Sequence, residues 1–170
     1  DDAMETSVVY KQSIGITYET NHTVTLATTG TLPVKKQATY YKGPKGEEQM
    51  RYSQAYANGV ADKTTLYTYD VTTDALSTST TYKDATERIN EATPAAADLG
   101  RKTQESFYTG AQGEELMQYS KEFTGVKNSE TVKTTTVYTY RTDDAMETSV
   151  VYKQSIGITY ETNHTVTLAT

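Results

Sequence analysis

Along the chain, apolar and polar residues alternate in short runs. At residues 23–27, Val24 and Leu26 alternate with Thr23 and Thr25. A period of two puts one set of side chains on a buried face and marks a strand. Residues 7–11 and 15–19 are equally short and rich in Val, Ile, Tyr and Thr. Residues 39–42 and 49–53 flank GlyProLysGly at 43–46, a hairpin turn by its residues. Residues 66–70 and 76–82 flank ValThrThrAsp at 71–74, a second hairpin in which Tyr67 and Tyr69 share a face. Turns are also expected at Gly110–Gly113 and at residues 142–144, and Asn58–Gly59 marks a turn between the two hairpins. Residues 85–100 (ATERINEATPAAADLG) are the exception. They predict either a short helix ending near Pro94 or a surface loop. The expected fold class is all-β.

The second pattern is repetition. Residues 1–28 and 143–170 are identical, at an offset of 142 residues. Identity over that length marks one period of a tandem array followed by the start of the next. A diverged repeat lies inside the period. ATYYKGPKGEEQMRYSQAY and ESFYTGAQGEELMQYSKEF align Gly43, Gly46, Glu48, Met50, Tyr52 and Ser53 with Gly110, Gly113, Glu115, Met117, Tyr119 and Ser120, each 67 positions on. TTLYTYDVTTDALSTSTTYKD (64–84) matches TTTVYTYRTDDAMETSVVYKQ (134–154), pairing Tyr67 with Tyr138, Tyr69 with Tyr140 and Tyr82 with Tyr152. The period therefore divides into halves of about 71 residues, near 1–71 and 72–142, and residues 143–170 begin the next period. Between matched blocks the spacing drifts by four or five residues, a change expected in surface loops.

Composition narrows the class. Hydrophobic residues are 35% of the chain, yet Tyr supplies 15 residues and Thr 34. Both suit a half-buried pleated surface. Low hydrophobicity alone would favour disorder, but the alternation and the modest net charge of −6 oppose it. There is no cysteine, so disulfide and thiol chemistry are excluded. The acidic balance and the lack of a basic run argue against nucleic acid. No apolar run approaches the ~20 residues of a membrane span.

LYTYDVTTDALSTSTTY (66–82) and VYTYRTDDAMETSVVY (137–152) resemble the YD repeats of bacterial RHS proteins and of the toxin-complex and teneurin shells. Tyr67, Tyr69, Asp70 and Leu76 fit the pattern, while Arg141 stands where the second copy would carry Asp. The resemblance implies stacked β-hairpins winding into an extended spiral or β-solenoid-like sheet. The wider pattern TyrTyr-x-Gly-x-x-GlyGluGlu, followed by Met-x-TyrSer, is similar to units of very long secreted tandem-repeat proteins of bacteria.

Candidate chemistry is sparse. His22 and His164 are one repeat position seen twice, so a period lacks partners for a His-based site. Glu47–Glu48 and Glu114–Glu115 follow a Gly turn. Neighbouring strand residues point to opposite faces, which is a poor arrangement for a shared proton. Asp1, Asp2, Asp70, Asp74, Asp143 and Asp144 sit in turns and could offer oxygens to calcium, but no EF-hand run appears and no cofactor is expected. Asn21-His22-Thr23 and Asn163-His164-Thr165 are glycosylation sequons. The framework residues are Tyr41, Tyr52, Tyr67, Tyr69, Tyr82, Tyr108, Tyr119, Tyr138, Tyr140 and Tyr152, with Gly43, Gly46, Asn58, Gly59, Gly110 and Gly113 in the turns. Tyrosines at fixed repeat positions stack into ladders. The expected function is that of a bacterial structural protein, not an enzyme: a repeat subunit of an extracellular filament, fibre or sheath that associates with itself. The alternative is a cell-surface adhesin stalk of small β-domains.

Overall fold

The computed structural model describes residues 3–11, 16–18, 24–26, 34–89, 92–153, 158–160 and 166–168. It is all-β. Nine antiparallel strands hydrogen-bond in the order β1 (Thr6–Tyr10), β4 (Lys35–Lys42), β5 (Gln49–Ala57), β6 (Val60–Tyr69), β7 (Leu76–Lys83), β8 (Lys102–Thr109), β9 (Leu116–Thr124), β10 (Thr131–Tyr140) and β11 (Met146–Lys153). Two short pairs stand apart in the pairing: β2 (Ile16–Tyr18) with β3 (Val24–Leu26), and β12 (Ile158–Tyr160) with β13 (Val166–Leu168). By its contacts the chain divides into two compact units, residues 1–64 with 84–94 and residues 65–83 with 95–170.

In the first unit, β4 and β5 form a hairpin with Ala38 opposite Gln54 and Tyr40 opposite Tyr52. The register slips by one residue between Tyr40 and Tyr41. Ala38, Tyr56 and Ala61 make a small apolar core with Tyr40 against it. Tyr52 is also fully buried, and the other buried positions are polar: Thr39, Ser53, Gln54, Thr64 and Asp84. In the second unit, β8 and β9 form the matching hairpin, with Glu105 opposite Lys121 and Phe107 opposite Tyr119. The slip falls between Phe107 and Tyr108, the same place 67 residues on. Ser79, Ser106, Ser120 and Thr136 align across β7 to β10, and Ser106 and Ser120 are buried.

The strands run longer than the sequence pattern suggests. β4 begins at Lys35 rather than residue 39, β5 continues to Ala57, and β6 begins at Val60 rather than residue 66. The added stretches bury Gln54 and Thr64 beside Ala38, Tyr56 and Ala61, so small and polar residues break up the apolar period of their buried faces. Asn58–Gly59 is the turn between the two hairpins, a two-residue loop joining β5 to β6. Asn58 at φ 52° and Gly59 at φ 81° supply the positive φ that a type I′ turn requires of both. Its counterpart between β9 and β10 is the longer Gly125–Glu130 stretch, so a four-residue change in spacing falls in this loop. Within residues 85–100 there is no α-helix among the described residues. A single 3-10 turn, Ala96–Asp98, lies after Pro94 instead of before it. Pro cannot continue a helix from its N-terminal side but tolerates a first turn beyond it.

Gly43 and Gly110 hold φ of 107° and 123°. A Cβ on Gly110 would meet the Glu114 carbonyl oxygen at 2.5 Å, whereas one on Gly113 would meet nothing within 4 Å. Gly110→Ala is expected to destabilise by about 1–3 kcal/mol, and Gly113→Ala by about 1 kcal/mol. Chemical denaturation of the two variants checks the order, and equal losses would contradict it.

Candidate self-association surface

The turns and tyrosines singled out by the repeat occupy equivalent places in the two halves. Tyr52 is fully buried and stacks on Tyr40 at 4.4 Å between ring centroids. Tyr119 stacks on Phe107 at 4.3 Å. Burial pushes the Tyr52 phenol well above its usual range, and it raises Tyr56, Tyr82, Tyr119 and Tyr140 in the same direction. The Tyr41 and Tyr108 hydroxyls each lie 3.2 Å from a serine hydroxyl, Ser7 and Ser79 respectively. Tyr140 donates to the Met117 carbonyl at 2.8 Å. Tyr67, Tyr69, Tyr138 and Tyr152 are half-buried on β6, β10 and β11. Lys35 lies over the Tyr56 ring and Lys102 over Phe123, again at matching positions. Tyr52 and Tyr119 thus each stack on the aromatic residue opposite them on the neighbouring strand.

The second glutamate of each Gly turn has a role that the sequence pattern did not suggest. Glu48 accepts the Gly46 amide at 2.9 Å and the Met4 amide, just before β1, at 3.2 Å. Glu115 accepts the Gly113 amide at 3.0 Å and the Leu76 amide, at the start of β7, at 2.9 Å. A third copy is disguised in sequence. Gly125 and Asn128 take the positive φ of the two glycines, and Glu130 accepts the Lys102 amide at 2.9 Å. In each case the carboxylate fastens a hairpin turn to the start of the strand beside that hairpin. The Met4 amide above all holds Glu48 below the usual carboxylate range, and the Lys102 amide does the same for Glu130. Burial opposes the shift at Glu115, but the Leu76 and Gly113 amides outweigh it and lower that group too. Glu47 and Glu114 are exposed.

A buried polar cluster also went unforeseen. Gln54 donates to the Thr86 carbonyl at 2.8 Å and to the Thr64 hydroxyl at 3.1 Å, and accepts the Arg88 amide at 2.9 Å. Asp84 accepts from Thr64 at 2.8 Å and from Arg88 at 2.9 and 3.2 Å. Tyr40 donates to the Arg88 carbonyl at 2.7 Å, and Lys35 pairs with Glu87. Burial alone would raise the Asp84 carboxyl, but Arg88, Thr64 and the Thr86 amide hold it low. The cluster seats residues 84–89 on β4, β5 and β6 of the first unit. The second half has Phe107 and Lys121 where the first has Tyr40 and Gln54, so it lacks these anchors.

The turn aspartates are occupied by the backbone. Asp70 accepts the Thr72 and Thr73 amides, both at 2.9 Å, and Asp143 pairs with Arg141 and accepts the Ala145 amide. No group of three or more His, Cys, Asp or Glu side chains that could hold a metal occurs among the described residues. No helix among them is long and apolar enough to cross a membrane. His22, His164, both sequons, Asp1 and Asp2 lie outside the described residues.

The ends of the strand order are the distinctive surface. Among the described strands, β1 and β11 each have one partner. Both carry exposed apolar side chains: Val8 and Val9 on β1, and Met146, Val150 and Val151 on β11. An edge of unpaired amide and carbonyl groups beside apolar side chains is a template for a further strand. No protein-family model matches the chain, and no curated protein matches it.

Proposed function

We propose that this chain is a structural protein, a tandem-repeat subunit of an extracellular bacterial filament, fibre or sheath. The observation that carries the reading is the repeated hairpin. Two segments with diverged sequences keep the same pairing, the same register slip and the same glutamate clamp. Selection for an identical joint, repeated, is what an extended assembly needs. The resemblance to YD and RHS hairpin repeats supports stacked hairpins in a spiral or solenoid-like arrangement. The aromatic pairs stacked at the same repeat position of both hairpins support a scaffold role. The division of the chain into two compact units favours a second reading, a cell-surface adhesin stalk of small β-domains.

Electron microscopy of a polypeptide carrying several periods separates the two. A stiff rod whose length grows in proportion to the number of periods is expected. Globules on flexible tethers would remove the filament reading and favour the stalk.

A further inference from the structure

The segment METSVVYK occurs at residues 4–11 and again at 146–153, and the structure pairs its two copies differently. On β1 it is paired with β4; on β11 it is paired with β10. Its diverged counterpart β7 sits between β6 and β8, with a neighbour on each side. The two joints of the first kind are superimposable in register. Thr6, Ser7, Val8, Val9 and Tyr10 face Tyr40, Thr39, Ala38, Gln37 and Lys35. Thr78, Ser79, Thr80, Thr81 and Tyr82 face Phe107, Ser106, Glu105, Gln104 and Lys102. Each joint skips one residue at the same place, and each continues with a lysine amide donating to a carbonyl: Lys11 to Val34 at 3.0 Å, Lys83 to Arg101 at 2.9 Å.

Exposure follows the missing neighbour. β7 is half-buried from Leu76 to Tyr82, whereas β11 is exposed from Met146 to Val151. Yet β11 is the more apolar strand, with Val150 and Val151 where β7 has Thr80 and Thr81. Leaving the more apolar copy uncovered is unfavourable unless another strand takes its edge.

We propose that the free edge of β11 is the docking site for residues 35–42 of a following copy of this sequence. The register is Thr148 to Tyr40, Ser149 to Thr39, Val150 to Ala38, Val151 to Gln37 and Tyr152 to Lys35 of that copy. This rests on the tandem reading above and names the joint. Tyr41 of the following copy meets the Ser149 hydroxyl, and its Glu48 closes on the Met146 amide, as each does at β1. Because residues 143–170 repeat 1–28, a continuation by residues 29–142 places its β4 at the same chain distance from β11 as β4 lies from β1. β1 already occupies that edge of β4 in any separate molecule, so the docking segment comes from the same polypeptide.

The test uses the full chain extended by a second set of residues 29–142. The protein has no cysteine, so two can be introduced cleanly. Glu5 and Lys11 direct their backbone groups at β4, which makes Val8 and Ala38 a non-hydrogen-bonded pair, with Cα atoms close enough for a disulfide. Val150→Cys with Ala38→Cys in the second copy should therefore oxidise to an internal disulfide. Thr148→Cys with the same Ala38→Cys, diagonal in this register, should not. Amide exchange at residues 146–153 should slow by about tenfold or more relative to the single chain. Equal linkage in both cysteine pairs, or unchanged exchange, overturns the proposal. Rods without the in-register disulfide overturn the joint while leaving the filament. The disulfide without rods supports the joint and removes the filament.

Discussion

Replacing Tyr52 with alanine is expected to lower stability by about 3–5 kcal/mol. The side chain is fully buried, and its ring stacks on Tyr40 against the small apolar core. The apolar cluster of its unit is made only of Ala38, Tyr56 and Ala61, so it offers no large aliphatic side chain to close over the cavity. Tyr52→Phe keeps the stacked ring and removes only the buried phenol hydroxyl, so it costs about 0.5–1.5 kcal/mol. Tyr119 holds the same repeat position but is only half-buried, and Tyr119→Ala should fall between the two. Urea denaturation of the three variants checks the order. A Tyr52→Ala loss no larger than that of Tyr52→Phe would show that the stacked Tyr40–Tyr52 pair is not a stabilising element.

Asp84→Ala is expected to cost about 3 kcal/mol at neutral pH. It removes the acceptor shared by Thr64 and Arg88 and leaves the Gln54 cluster incomplete. The pH dependence has a definite sign. The folded carboxyl titrates below the usual 3.8, so its stabilisation is present above that value and drains away as pH falls through the lower folded value. The gap between the parent protein and Asp84→Ala should therefore narrow as the pH falls below 3.8. A gap that widened in acid would mean that the carboxyl is held neutral in the fold and that the cluster has been misread. Because residues 84–89 are seated by Gln54 and Tyr40, the variant should loosen this loop first.

The turns were legible because their chemistry is local. Glycines at 43, 46, 110 and 113 take left-handed backbone values that other residues resist, and Asn58–Gly59 carries its turn type in its two residues. Strand lengths were not legible. Alternation of apolar residues reveals a strand only when its buried face is apolar. Here Thr39, Ser53, Thr64, Ser106, Ser120 and Thr135 fill buried positions, and no buried side-chain polar atom among the described residues lacks a hydrogen-bond partner. The clamp glutamates were half-legible. The repeat flagged the pair after each Gly turn, but only a neighbouring strand shows that the second of each pair binds an amide. Glu130 was concealed because Asn128 replaces the second glycine, a substitution that the left-handed region tolerates. The Gln54–Asp84 cluster joins residues 30 apart in the chain, with no spacing rule to connect them.

From β4 to β11, every strand pairs with its successor in the chain. Most of these pairings close over short loops, so the sheet can grow hairpin by hairpin with little chain entropy lost at each step. Two pairings break that rule: β1 to β4, across residues 11–34, and β7 to β8, across residues 84–101. They are also the two joints that share one register and one clamp. Glu48 and Glu115 thus stand where loop closure is entropically dearest, and each latches a joint that the zipper would otherwise form last and release first.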